Sequence, residues 1–383
     1  MRQLAITKLK GKVISVFLEE EKLDEVFADE KERSILGNIY VGKIQNIVSN
    51  IKAAFVDIGG GKMCYLSMNE GSFKCGDEVV VQVSREGIKT KQPTVTCCYN
   101  FTGRYFVLSK GKEEVRISAK IQDSFERKRL EELEEKLDIP KGYSLIIRTN
   151  AKNVKETELI REYHILREQC LNVEQLGRYK TCYSVLYQAP SPWITYWRDA
   201  DCASIERVIT DDMEIYDELK EFAEKSQLEE QDKLVLYKDE SYSLNHLLGI
   251  ECKIKRLLEK KVWLKSGASL VIEPTEALTS IDVNTEKAIK GNRNPETTFL
   301  KINLEATKEV ARQMRLRNLS GIIIIDFIDM KDKKHQKEVI SQLKIELEKD
   351  RLRANVVDMT KLGLVEVTRM KQRKPLHEIL SLG

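Results

Sequence analysis

Apolar and polar residues alternate with a period of two through Leu4–Thr7 and Gly11–Leu18, which predicts a short strand pair over residues 1–33, with a charged stretch after it. From Gly37 to Ser109 the pattern breaks into five short β-rich runs, 39–47, 53–58, 63–66, 78–83 and 104–108. Turn signals such as Gly59-Gly60-Gly61 separate them. Short strands with glycine turns at this spacing predict a small closed barrel. The period then lengthens. Residues 121–137 and 156–174 read as helices around a strand at 144–149, and Pro140-Lys-Gly ends the first helix. A strand at 234–237 and a helix over 245–260 follow. The remainder reads as strand-like 269–283, helix 299–317, buried strand 321–327, helix 334–352, and strands at 354–358 and 363–368. That alternation predicts an α/β unit.

Composition narrows the class. At roughly 100–200 residues per domain, 383 residues predict two to four domains. The charged fraction of 33% is high, yet the net charge is only +3. The sum hides an imbalance: residues 199–240 hold 15 acidic and 5 basic side chains, a net of −10, so the rest carries +13. A basic body with one acidic block points toward a polyanionic partner. No apolar run approaches the ~18–20 residues that span a bilayer. The start, Met1 to Gly11, lacks a long apolar stretch and a small-residue cleavage site, which predicts no leader and a cytoplasmic protein. Eight cysteines form no C-x-x-C pair, which predicts free thiols and no zinc knuckle. Four scattered histidines give no H-E-x-x-H, and Gly59-Gly60-Gly61-Lys62 lacks P-loop spacing.

Two apolar runs end in carboxylates, at Asp282 and Asp326, 44 residues apart, which leaves room for a helix between two strands. A pair of strand-end carboxylates can hold Mg²⁺, and the same residues can instead cap turns. Asn284 shares a strand face with Asp282. The helix between them carries Lys301, Lys308, Arg312, Arg315 and Arg317, and 369–374 is again basic. Such an excess suits a polyphosphate or a solvated helix face. Phe55 and Tyr65 lie on neighbouring barrel strands among Lys43, Lys52, Lys62, Lys89 and Lys91. They can stack unpaired bases or fill the barrel core. Residues 84–120 carry a net of +5.

These motifs together resemble the ribonuclease E/G family. Gly37–Ile44, Ala53–Gly59 and Cys64-Tyr-Leu look like its S1 barrel, and Leu145–Thr149 resembles its 5′-sensor strand. Thr275–Thr285 is similar to its first catalytic motif, and Asn303-Leu-Glu-Ala with Ala311–Met330 to its second. Asp350-Arg-Leu-Arg353 and Gly363–Arg369 continue the likeness. The resemblance implies an α+β multidomain protein. An RNase H-like subdomain would lie in two pieces, 1–33 and 190–257. An S1 (OB-fold) barrel at 34–113 and a 5′-sensor region at 114–189 would be inserted in it. A DNase I-like α/β catalytic subdomain would occupy 258–383. It further implies a cytoplasmic endoribonuclease using Mg²⁺, or Mn²⁺ in its place. The substrate would be single-stranded RNA, cut to 5′-phosphate and 3′-hydroxyl ends. Asp282 and Asp326 would hold the metal, with Asn284 assisting. Phe55, Tyr65 and Lys91 would bind RNA. Arg148, Thr149 and Arg353 would grip a 5′-monophosphate, for which a planar guanidinium is suited. The family usually continues into a C-P-x-C zinc link and a dimerising domain. No cysteine follows Cys252 here, so no structural zinc is expected and the oligomeric state stays open. The rival expectation is an RNA-binding protein that has lost efficient turnover.

Overall fold

The computed structural model describes residues 2–30, 34–87, 92–201, 204–226, 229–239, 241–286, 288 and 295–380. The chain is mixed α and β and divides into two compact units. One comprises residues 1–31, 204–217 and 233–383, and the other 32–203 and 218–232.

The first unit is built on two sheets. A five-stranded sheet runs in the order Leu234–Leu236, Ile205–Thr210, Arg2–Leu9, Lys12–Glu19, Lys22–Glu30. Strands distant in sequence thus share one sheet. The expected strand pair at the start is a three-strand meander. Its third strand, Lys22-Leu-Asp-Glu-Val-Phe-Ala-Asp-Glu, lies at the sheet edge. Its charges are tolerated because only alternate residues, Val26 and Ala28 among them, turn inward. The helix expected over 245–260 is two, Leu244–Leu248 and Ile250–Leu257, broken where Gly249 takes φ 59°. That left-handed turn is a standard helix stop.

The other sheet has six strands in the order Lys261–Trp263, Ser269–Pro274, Leu278–Asn284, Gly321–Asp326, Val365–Arg369, Ala354–Met359. Only the two central strands, 278–284 and 321–326, are parallel. A parallel pair needs a crossover, and helix Pro295–Leu316 lies between them in the chain. One sheet face, with Leu270, Ile281, Val283, Ile323, Ile325 and Val367, packs on Ile302, Ala306, Val310 and Met314 of that helix. Val339, Leu343 and Leu347 of helix Lys333–Glu348 join the same core. Period-two strands meeting period-3.6 helices make one buried layer, each large aliphatic contributing about 1.5–3 kcal/mol. The alternate residues of the central strands therefore face away from the helices.

In the other unit, strands Ile39–Val48, Ala53–Asp57, Met63–Ser67, Thr94–Thr96 and Glu78–Arg85 pair in that order, and the last pairs with the first to close a barrel. The expected fifth barrel strand at 104–108 is elsewhere. Phe106–Lys110 belongs to a separate four-stranded sheet, ordered Val115–Ile117, Tyr143–Ile147, Phe106–Lys110, Asn100–Thr102. Its place in the barrel is taken by Thr94–Thr96, a run too short to show alternation. Helix Glu156–Tyr179 buries Leu159, Tyr163, Leu166 and Cys170 in the core of the four-stranded sheet. Gly59, Gly60 and Gly61 all have positive φ, which turns the hairpin between 53–57 and 63–67.

Candidate active site

Asp282 and Asp326 are register partners on the two parallel strands. Adjacent strands lie about 4.8 Å apart, so the two carboxylates leave the sheet side by side on the face away from the helices, and both are exposed. The cause is local: Ile281, Val283 and Ile325 turn into the core and force the residues between them outward. Asn284 follows Asp282 by two and donates from Nδ2 to its Oδ2 at 2.7 Å. This fixes one carboxylate oxygen and leaves the other open.

Asp329 adds a third negative charge. The Asp326 carboxyl is pushed above its ordinary range, first by burial, then by the charges of Asp282 and Asp329. Among the described residues none of the three aspartates forms an ion pair. The backbone carrying Asp329 is held by Asn303, which is fully buried. Its Nδ2 donates to the Ile328 carbonyl at 2.8 Å, and its Oδ1 accepts from the Ile328 amide at 3.1 Å. Neither Asp329 nor Asn303 is singled out as a site residue by sequence pattern. Both lie in the stretch that resembles the second family motif, and the two aspartates of Asp326-Phe-Ile-Asp329 follow an apolar run.

The basic residues around the carboxylate strands have other work. Arg312 donates to Glu309 and to the Leu23 carbonyl, and Arg317 to Gln313 and to the Glu259 carbonyl. Arg369 is buried in a two-pronged pair with Asp350 at 2.8 and 3.2 Å, and reaches Asn318 and the Leu319 carbonyl. Arg312, Arg317 and Arg369 thus tie the unit together, whereas Lys301 and Lys308 of helix Pro295–Leu316 are exposed.

On the barrel, Phe55 and Tyr65 are register partners with ring centroids 6.5 Å apart and planes at 81°. Both are half-buried, while Ala54, Val56, Cys64 and Leu66 fill the barrel core. The aromatics therefore stand on the outer surface. Lys91 lies outside the described residues.

Arg148 follows the strand Tyr143–Ile147. Its Nη1 donates to the Gly103 carbonyl at 2.5 Å and to Asp199 Oδ1 at 2.7 Å. Arg198 grips the same carboxylate at 2.8 and 3.1 Å. Burial raises the Asp199 carboxyl, and Arg198 and then Arg148 outweigh it, so the net shift is downward. Thr149 is exposed, with its hydroxyl 2.9 Å from that of Ser118. Arg353 is exposed just before the strand Ala354–Met359 and belongs to the other unit.

The fit of a divalent ion to the carboxylates follows from their charge. Mg²⁺ is commonly bound through one or two carboxylates, the rest of its shell being water and substrate oxygen. Asp282 and Asp326 meet that requirement, and an unpaired carboxylate cluster is what a cation relieves. Among the described residues no group of three or more His, Cys, Asp and Glu is close enough to hold a metal, so Asp329 acts on the site through charge.

The barrel thus offers outward aromatics that can stack, and the sheet offers paired carboxylates that can hold a cation. The chain belongs to the ribonuclease E/G family: the model of that family matches residues 100–372. Ribonuclease G of Haemophilus influenzae is 36% identical over 372 residues, covering 91% of this chain and 75% of that protein. Ribonuclease G of Escherichia coli K12 is 36% identical over 375 residues, 92% of this chain and 76% of its own. Ribonuclease E of Synechocystis is 32% identical over 396 residues, 99% of this chain and 58% of its own.

Proposed function

We propose that the protein is an Mg²⁺-dependent endoribonuclease that cuts single-stranded RNA to 5′-phosphate and 3′-hydroxyl ends. The observation that carries this reading is the register pairing of Asp282 and Asp326, neither of which forms an ion pair among the described residues. Asp282 and Asp326 are the residues that hold the ion, and Asn284 orients Asp282. An Mg²⁺ ion held there would supply neutralising charge to a phosphodiester oxygen and a more acidic water. The barrel aromatics Phe55 and Tyr65 hold unpaired bases by stacking, with Lys91 carried from the family resemblance.

Arg148 and Thr149 are the proposed grip on a 5′-monophosphate. Arg148 spends one edge on Gly103 and Asp199 and keeps its remaining donors. The division into a two-piece RNase H-like subdomain, an S1 barrel, a sensor region and a DNase I-like subdomain belongs to the same reading. Strands 2–30 and 205–236 sharing one sheet supports its first element. A cytoplasmic site of action is supported by the free thiols of the seven described cysteines. Among the described residues no helix is long and apolar enough to cross a membrane.

The test is cleavage of a 5′-monophosphorylated single-stranded RNA in Mg²⁺ or EDTA. Asp282→Asn and Asp326→Asn should each reduce cleavage to background, as should EDTA. Cleavage that survives in both variants removes the assigned site.

A further inference from the structure

The edge strand Lys261–Trp263 places an exposed tryptophan on the face that carries the carboxylates. Val262 and Leu264 turn toward the core, so Lys261 and Trp263 turn the other way. Registered residues of neighbouring strands share a face. The rows are Trp263–Ser269–Asn284 and Lys261–Val271–Asp282–Asp326. Trp263 therefore stands two strands from Asn284, about 10 Å away at ~4.8 Å per strand, and level with it. The indole is 59% exposed. Its orientation is built: the Lys261 ammonium lies 4.5 Å from the ring centroid, a cation–π distance. Lys261 is fixed in turn by Glu286 at 2.5 Å, and Glu286 also accepts from the buried Ser269 hydroxyl at 3.2 Å. Trp193 and Trp197 are both buried, which leaves Trp263 as the exposed indole of the chain.

We propose that Trp263, held by Lys261, is a stacking platform for the base of a nucleotide next to the scissile phosphate of single-stranded RNA. This rests on the reading of Asp282 and Asp326 as the cutting site. A large flat ring in a fixed pose, about 10 Å along the sheet from Asn284 and about 12 Å from Asp282, meets a base adjoining that phosphate. Stacking is tolerant of base identity because every base has a π face. The platform thus sets the path of the strand across the sheet rather than its sequence.

The experiment uses the full chain and a 5′-monophosphorylated single-stranded RNA, with an abasic residue walked through the positions around the cut. In EDTA, uncut RNA should quench the indole emission of the wild type and leave that of Trp263→Phe unchanged. In Mg²⁺, Trp263→Ala should lower kcat/KM about 10- to 100-fold, the effect expected of one stacked base. Trp263→Phe should recover most of that loss. One abasic position should cost the wild type a similar factor and cost Trp263→Ala nothing further. Absence of quenching, an unchanged kcat/KM in Trp263→Ala, or fully additive losses each overturn the proposal. Asp282→Asn, run in parallel, reads the cutting site separately. Cleavage that survives in it overturns the carboxylate site and the placement beside the cut, whereas lost quenching alone overturns only the stacking.

Discussion

Asp199 shows how far a single residue can be from its meaning in sequence. In the chain it is the first of a run of acids. In the fold it joins Arg148, 51 residues away, to Arg198, and no local pattern signals that partnership. The strand before Arg148 was legible, expected over 144–149 and found as Tyr143–Ile147, but the pairing of Arg148 with Asp199 was not. Its folded-state cost has a sign that can be worked out. Burial raises the Asp199 carboxyl, and the two guanidiniums lower it further than burial raises it. A carboxyl depressed in the folded state stabilises the fold above its unfolded value, ordinarily 3.8, and loses that contribution as pH falls through the folded value. Arg148→Ala should therefore lower stability at pH 7 by about 1–2 kcal/mol, allowing for the partial exposure of both side chains. The deficit should shrink in urea unfolding as pH falls below 3.8 and through the depressed folded value, once the carboxyl is protonated in both proteins. A deficit that stays constant with pH would mean that Arg148 stabilises by packing alone.

Elements were legible where their period was long and uniform. Helix 299–317 was expected and Pro295–Leu316 is found, the extra turn beginning at a proline that suits a first helical position. The parallel strands were legible from their apolar runs, and so were the two carboxylates at their ends. A charged edge strand and a very short barrel strand were not: Lys22–Glu30 is charged on its open side, and Thr94–Thr96 is three residues long. The tie between helix and loop was not legible either, because Asn303 looks like one polar residue on an amphipathic helix until its amide meets Ile328. That tie has a measurable role. Replacing Asn303 with Ala strands a backbone donor and acceptor, each costing about 1–3 kcal/mol if left buried. Asn303→Ala should lower the urea midpoint by the equivalent of about 2 kcal/mol, and should also lower kcat in the fully folded fraction, because the loop from Asp326 to Asp329 loses its anchor. Normal kcat in folded Asn303→Ala would show that this loop needs no fixing for cleavage.

For the molecule as a whole, charge was the least legible property. The linear split into −10 and +13 suggests an acidic face and a basic one. The fold dissolves much of it. Within one unit Arg104 is buried against Glu230, and Arg148 and Arg198 hold Asp199. Within the other, Lys8 pairs with Asp212. Basic residues counted toward a binding surface are thus spent on the acidic block, and Arg104 leaves the +5 of residues 84–120 altogether. What remains for RNA is a smaller set, which separates by chemistry. On the barrel, Phe55 and Tyr65 can act only by stacking, and Lys43, Lys52 and Lys62 only by charge. Stacking is worth about 1–3 kcal/mol per base, whereas each neutralised phosphate on a single strand adds about 0.7 to the slope of log affinity against log salt. Phe55→Ala and Tyr65→Ala should weaken RNA binding by a constant factor at every salt concentration. Lys52→Ala and Lys62→Ala, whose side chains are exposed, should flatten the slope by up to about 0.7 each where they meet a phosphate. Anisotropy titrations of a labelled single-stranded RNA in EDTA, across a range of salt, read both effects at once. If the aromatic variants alter the slope, or the lysine variants weaken binding without altering it, the division of labour on the barrel surface is wrong. In that case the electrostatic contribution must come from elsewhere in the chain.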